Sequence, residues 1–210
     1  MRIFENCSLQ RVICVIWLLA AAAGLAAVAS YERIPGRAGQ TPAQWPADAG
    51  ISLDATRPTL LMFAHPKCPC TRASMGELNR LLAQCDGEVA TQVLFFAPDN
   101  GSSEWLRGDL WQSAKAIPGV KVEIDLAGRL AQRFGAETSG FVVLYDVHGK
   151  LLFRGGITRE RAHAGDNRGV DAIVSLIAAR IPSTESTSVF GCELRDSNSV
   201  PADRNAPCPK

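Results

Sequence analysis

Cys68-Pro69-Cys70 sets two thiols two residues apart, between the apolar run Thr59 to Ala64 and an amphipathic stretch. Sulfur at that spacing suits disulfide exchange or capture of a soft metal ion better than packing. A helix N-terminus offers unsatisfied N–H groups and partial positive charge, and both favour a thiolate over a thiol. Pro69 fits the first helical position, where its missing N–H costs nothing. Cys68 is therefore expected at the N-cap as the nucleophile, its sulfur facing those donors, with Cys70 as the resolving thiol. Lys67 adds a positive charge, which lowers a neighbouring thiol's pKa. A Cys68–Cys70 bridge closes a tight ring, and strain raises the reduction potential, so the pair is expected to oxidise or isomerise better than it reduces. Copper capture is the competing chemistry: the two cysteines would chelate Cu(I), with His65 as third ligand. A hydrogen-bonded turn residue is the plainer expectation for His65.

The other cysteines divide by position. Cys7 and Cys14 lie before or within a long apolar stretch, which leaves Cys68, Cys70, Cys85, Cys192 and Cys208 beyond it. That number is odd, so at least one thiol is free, metal-bound or joined to another molecule. Cys85 shares a helix's apolar face and is expected to be a buried, inert thiol. Cys192 closes the patch Ser188-Val189-Phe190-Gly191-Cys192. A staple to Cys208 is the first expectation for it, and a distant resolving thiol for Cys68 is the second. His148 and His163 fall in a turn and a loop, where solvation is expected. Arg159, Arg161 and Arg168 border Asp166 and Asn167 and read as solvated loop charges beside a helix cap.

The elements that must position these groups alternate. Leu60 to Ala64 reads as a short buried strand. Thr71 to Cys85 reads as a helix with Met75, Leu78, Leu82 and Cys85 on one face. Val93 to Ala97 is a continuous apolar run, as in a parallel strand covered on both sides. Ser102 or Ser103 caps the next helix, with Glu104 in its first turn and Leu106, Leu110, Ala114 and Ile117 inward. Val120, Val122 and Ile124 alternate with Lys121 and Glu123 as a half-exposed strand. Asp125 caps a short helix carrying Leu130 and Phe134, closed by Gly135. Phe141 to Tyr145 and Leu151 to Phe153 flank the turn Asp146 to Gly149 as a hairpin. Asp166 or Asn167 then caps a last helix with Val170, Ile173, Val174 and Ile177 inward, ending before Pro182. The order β-α-β-α-β-α-β-β-α predicts an α/β sandwich with a mainly parallel sheet and an antiparallel edge.

At 210 residues and a formal net charge of +1, the chain suits one domain with extensions, and it lacks the basic bias of a nucleic-acid binder. Val12 to Ala29 carries no charge and approaches the ~20 apolar residues that span a bilayer. Arg2 and Arg11 precede it, which leaves the N-terminus cytoplasmic and exports the rest. Ala27-Val28-Ala29 resembles a signal-peptidase site, but the apolar run exceeds the ~7–15 residues of a signal peptide, so an uncleaved anchor is expected. The expected organisation is a cytoplasmic 1–11, an anchor at 12–30, a linker at 31–57, a domain at 58–181 and a cysteine-bearing tail at 182–210. Trp45, within the linker, is expected to rest on the bilayer or domain surface.

The order, with cysteines after the first core strand, resembles the thioredoxin fold. The helix and strand between Ser103 and Ile124 look like the insertion of its membrane-anchored cytochrome-maturation reductases and peroxiredoxins. Phe134-Gly135-Ala136-Glu137-Thr138-Ser139-Gly140-Phe141-Val142-Val143-Leu144-Tyr145 is similar to their "FGV-x-x-TP-x-VVL" segment. His65 to Ser74, and Gly155-Gly156-Ile157-Thr158 with Gly165-Asp166-Asn167, resemble the narrower RedB-like group. The resemblance implies a thioredoxin-like three-layer sandwich with a central mixed sheet, following a single transmembrane helix. Two departures stand out. Lys67 takes the place of the first cysteine of the usual Cys-x-x-Cys, and Cys70 the second. Ser139 replaces the usual cis-proline facing the cysteines; a cis bond there would cost ~2.5–4 kcal/mol, so a trans peptide is expected. That frees Ser139 as a hydrogen-bond donor to sulfur. Peroxiredoxins set a Thr three positions before the reactive Cys, where this chain has His65 or Lys67, so peroxidase chemistry is not the expectation.

The expected activity is thiol–disulfide exchange in a single-pass inner-membrane protein whose domain faces the periplasm or exterior. Cys68 and Cys70 act, and Lys67, Pro69 and Ser139 support them. The expected partner is a protein thiol or disulfide, with electrons coming from, or going to, another membrane or periplasmic thiol protein such as a membrane electron donor. No organic cofactor is expected, because the chain has neither a Rossmann glycine fingerprint nor a phosphate loop.

Overall fold

The computed structural model describes residues 2–99, 108–179 and 184–195. The chain forms two compact units, Met1–Ile34 and Pro35–Lys210. The first is a single helix, α1 (Arg2–Glu32), apolar on all sides. Its Leu9–Glu32 stretch has a mean hydropathy of 2.6 and is long and apolar enough to cross a membrane.

The second unit follows the alternation read from the sequence. Its elements are β1 (Thr59–Ala64), α2 (Pro69–Gln84), β2 (Ala90–Ala97), α3 (Asp109–Lys115), β3 (Val120–Leu126), α4 (Arg129–Arg133), β4 (Phe141–Tyr145), β5 (Leu151–Gly156) and α5 (Arg168–Ile177). The sheet runs β3-β2-β1-β4-β5. β1 is parallel to β2 and antiparallel to β4; β2 and β3 are parallel, and β4 and β5 antiparallel. This mixed five-stranded sheet is the α/β sandwich that the element order predicts, with the central mixed sheet that the resemblance implies. Ser102, Ser103, Glu104 and Leu106, expected to open the helix before β3, lie outside the described residues. The part described begins after Gly108 and buries Leu110, Trp111 and Ala114.

β1 explains its unbroken apolar run. Leu60, Met62 and Ala64 enter the core under α2, α3 and α5, whereas Leu61 and Phe63 enter the core on the opposite face. Side chains alternate along a strand, so only a strand covered on both faces is apolar at every position. On α2 the buried stripe is Met75, Leu78, Leu81 and Cys85, with the expected Leu82 at its margin. β3 is less regular than expected, since Ile124 is 44% exposed. Asp125 is buried there, and its carboxylate accepts the Leu130 and Ala131 N–H groups at 2.8 and 2.9 Å, holding the start of α4.

Two domain boundaries need correction. The stretch expected to be a linker at 31–57 is domain structure from Pro35 onward. Trp45 packs edge-to-face on Phe134 and Tyr145, with centroids 5.0 and 5.3 Å apart, and its N–H donates to Gly149 O at 2.7 Å. Ala49 is buried beside it, with Ile51 and Leu53 against the same core. The physical reason lies on the sheet's second face. α4 is little more than one turn, so Phe63, Phe134, Phe141 and Tyr145 need other cover, and extended chain supplies it. The tail set at 182–210 is likewise not separate: 184–195 follows the β5 edge and buries Val189 and Leu194 in that second core. Residues 196–210, Cys208 among them, lie outside the described residues.

Candidate thiol site

β1 ends at Ala64, and the turn His65-Pro66-Lys67 carries the chain to α2. Cys68 is the N-cap, with φ −82° and ψ 114°, and Pro69 opens the helix. That is the placement the sequence predicts. The sulfur does not close a side-chain cap onto the first-turn N–H groups, however. It faces Cys192, with the two Sγ atoms 3.1 Å apart, and the Cys192 N–H points at Cys68 Sγ from 3.4 Å.

Backbone pairing brings this distant residue in. Ser139 N–H donates to Cys192 O at 2.8 Å, and Leu194 N–H donates to Glu137 O at 2.9 Å. Residues 192–194 thus lie against 137–139 through an isolated antiparallel bridge, with Thr138 opposite Glu193. Upstream, Arg154 N–H donates to Glu185 O and Thr187 N–H to Arg154 O, fixing the segment along β5. Two glycines make the approach possible. A Cβ on Gly191 would collide with the Ser139 carbonyl oxygen, and one on Gly155, at φ +138°, with Thr187 O. The Gly155-Gly156 phrase therefore serves the seating of the tail. The seated tail covers sulfurs that disulfide exchange needs to reach: Cys68 is 1% exposed and Cys70 9%.

Burial alone would raise the Cys68 pKa, because a thiolate is poorly solvated in the interior. Hydrogen bonds from the Thr71 hydroxyl, the Cys192 thiol and the Cys192 N–H outweigh it, and the net shift is downward. The Thr71 hydroxyl is itself held. Thr71 Oγ1 and Ser139 Oγ lie 2.6 Å apart, and Ser139 Oγ accepts the His65 N–H at 2.7 Å. A relay from His65 N–H through Ser139 and Thr71 to the sulfur lets each hydroxyl accept once and donate once. Ser139 thus acts one hydroxyl away from the sulfur, rather than on it. Every peptide described is trans, that before Ser139 included.

Cys192 moves the other way, up to about 12, through burial, its hydrogen bond to Cys68 and the charge on Cys68. Cys70 is also raised, by burial first and then by the Cys68 charge. The cation that opposes both shifts is Arg161. Arg161 is half-buried and its guanidinium donates to Gly191 O, so it is not the solvated loop charge expected. Lys67 is exposed, and its N–H donates to His65 Nδ1 at 3.2 Å. Arg161 is thus the cation acting on Cys70 and Cys192. Pro69 is exposed beside it.

Glu77 holds the Arg161 loop in place. It is 2% exposed on α2, yet its carboxylate accepts Gly165 N–H at 2.8 Å and Asn167 Nδ2–H at 3.2 Å, and pairs with Arg80. Asn167, not Asp166, caps α5 by accepting Val170 N–H at 2.9 Å. Thr71, Glu77 and Arg161 were missed as site residues. Thr71 had a local signal, a hydroxyl one turn into a cysteine-capped helix. The other two act across long sequence separations.

His65 behaves as a turn residue. Its Nδ1 accepts the Lys67 N–H and its ring stacks on Phe96, with centroids 5.8 Å apart. Among the described residues no group of three or more His, Cys, Asp or Glu side chains is arranged to hold a metal ion. A cleft of about 700 Å³ opens between the start of α5 and residues 184–190, with Arg159, Arg168 and Phe190 on its walls, but none of the sulfurs lines it.

No family model matches the chain, and no curated protein matches it. Solved structures do. A hypothetical protein from Sinorhizobium meliloti 1021 is similar at 17% identity and a TM-score of 0.54, over 77% of this chain and 93% of that one. An uncharacterized conserved protein from Geobacillus kaustophilus is similar at 16% identity and 0.54, over 78% and 92%. The exposed lipoprotein thioredoxin of Streptococcus pneumoniae TIGR4 is similar at 16% identity and 0.44, over 60% and 86%. Of these, the first two bear on the fold alone.

Proposed function

We propose that this chain is a membrane-anchored thiol–disulfide oxidoreductase acting outside the cytoplasm, with Cys68 as its nucleophile. One observation carries the reading: a cysteine at the N-cap of the first core helix, almost wholly buried, is nonetheless pulled toward the thiolate by Thr71 and Cys192. A structural thiol in such a place gains nothing from that much hydrogen bonding. An exchanging thiol gains its reactive form. Cys68 would attack a protein disulfide, and a second thiol of the chain would discharge the adduct. The apolar α1 supports an anchor in the inner membrane, with the domain in the oxidising space beyond it. The RedB-like phrases at 65–74 and 155–158 accord with this reading. The copper reading would have to use His65 Nε2 as its third donor, because His65 Nδ1 accepts the Lys67 N–H.

The test is turnover of insulin or a dye-labelled peptide disulfide by the full chain in detergent. Turnover that Cys68→Ser abolishes is expected. Stoichiometric Cu(I) uptake with no turnover would overturn the reading.

A further inference from the structure

The exchange reading leaves open which thiol discharges Cys68, and two candidates flank it. Cys70 is the neighbour in sequence. It sits at the second helical position, close enough that the Cys68 charge and a side-chain hydrogen bond with Cys68 help to raise its pKa. Cys192 is 124 positions away in sequence, yet its sulfur lies 3.1 Å from Cys68 Sγ. A disulfide has an S–S length of about 2.05 Å, so closure asks for a movement of about 1 Å.

Resting on that reading, we propose that Cys192 is the resolving thiol and that the oxidised protein carries a Cys68–Cys192 disulfide. The arrangement is built rather than incidental. The 192–194 segment pairs with Glu137 and Ser139, Gly191 permits the close approach, and Arg161 holds Gly191 O while facing the Cys192 sulfur. Three hydrogen bonds and one glycine's close approach set one sulfur against the other.

The chemistry balances. With residues 192–194 lifted, the Cys68 thiolate, still held by the Thr71 hydroxyl, attacks one sulfur of the incoming disulfide. The Cys68–substrate bond forms, the substrate S–S bond breaks, and the departing thiolate takes a proton from water. The segment returns, and Cys192 gives its proton to solvent and attacks Cys68 Sγ. The Cys68–Cys192 bond forms, the mixed bond breaks, and the second substrate sulfur leaves and is protonated. The substrate disulfide has gained two electrons, and the Cys68/Cys192 thiols have lost them. A dithiol protein restores the reduced pair.

Timing is built in as well. Two of the influences that hold the Cys192 proton on are the hydrogen bond to Cys68 and the Cys68 charge. Both vanish once Cys68 is a neutral mixed disulfide, whereas Arg161 remains. Burial, the largest cause, persists, so Cys192 gives up its proton more readily than in the resting protein when there is an adduct to resolve, rather than becoming an ordinary thiol.

The experiment uses the full chain in detergent with a dye-labelled peptide disulfide, read by dye release, non-reducing gels and mass mapping. Wild type is expected to yield a Cys68–Cys192 linked peptide. Cys192→Ser and Cys192→Ala are each expected to accumulate the Cys68–substrate adduct at least about tenfold over wild type. Cys70→Ser is expected to discharge the adduct. A Cys68–Cys70 linked peptide in wild type, or an adduct that builds up in Cys70→Ser and not in the Cys192 variants, would overturn the assignment while leaving the exchange reading intact. Absence of both dye release in wild type and adduct in the Cys192 variants would sink the exchange reading and this proposal together.

Discussion

Cys68 and Cys85 stand at opposite ends of α2, one its N-cap and the other its C-cap, and they are 1% and 4% exposed. By burial alone they would behave alike. Instead Cys85 is raised to about 11, by burial and then by Glu88 and Asp86, while Cys68 is lowered. The ends of a helix differ in sign, positive at the N-terminus and negative at the C-terminus, which sets the direction of the contrast. Specific donors enlarge it: Cys68 has a hydroxyl, a thiol and an N–H around it, and Cys85 has carboxylates nearby. A buried thiol is reactive or inert according to its partners, and depth does not decide it.

The bluntest way to break the comparison is to exchange the roles. Cys68→Ser is expected to reduce disulfide turnover by about 10³-fold or more, as loss of a nucleophile does. Cys85→Ala should leave turnover at the wild-type level and cost about 1 kcal/mol of stability in urea denaturation. If Cys85→Ala abolished turnover in a folded protein, the assignment of the two thiols would be wrong.

Gly191→Ala attacks the cover over Cys68. A Cβ there collides with Ser139 O, so residues 192–194 must move off 137–139. At alkaline pH, where ionisation is no longer limiting, alkylation of Cys68 should quicken by roughly an order of magnitude, because opening of the segment gates access. Cys85, remote from the segment in sequence and on the other core, provides the internal control. An unchanged Cys68 rate would show that the segment is not the gate.

Thr71→Val sharpens the comparison. Removing a hydrogen bond to a thiolate destabilises the charged form, so the Cys68 pKa rises. The shift should be about one unit, equivalent to ~1.4 kcal/mol. The alkylation profile then moves to higher pH, and less thiolate is present at neutral pH. Ser139→Ala should move it the same way by less, since Ser139 reaches the sulfur only through Thr71. A profile that stays in place in Thr71→Val would remove the hydroxyl from the account.

Much of this was legible in the residues, and the parts that were not share a cause. The β1 run and the α2 stripe are periodic, and periodicity reports burial within a single element. Cys68 at the N-cap and Asp125 at the start of α4 follow from rules that span a few residues. Trp45 and the stretch 35–53 cover the sheet as extended, aperiodic chain, and such a cover has the composition of a linker. Cys192, Arg161 and Glu77 matter through partners 124, 30 and 88 positions away, across loops that carry no periodic signal. The Gly155-Gly156 phrase was visible, but its reason, the approach of Thr187, exists only in the folded chain.

The mildest probe works at the inert end. Asp86 and Glu88 are exposed, so their field at Cys85 is screened by water and salt. Neutralising both, as Asp86→Asn with Glu88→Gln, should lower the Cys85 pKa by only a few tenths of a unit. That difference, read by residue-resolved alkylation, should vanish in about 1 M salt, where the Debye length falls to about 3 Å. Burial, the larger cause, is untouched by the change, so Cys85 should remain well above an ordinary thiol. A drop of more than a unit would mean that charge at the helix end, rather than burial, keeps Cys85 protonated. The contrast within α2 would then owe more to the carboxylates beside its C-terminal end than to burial there.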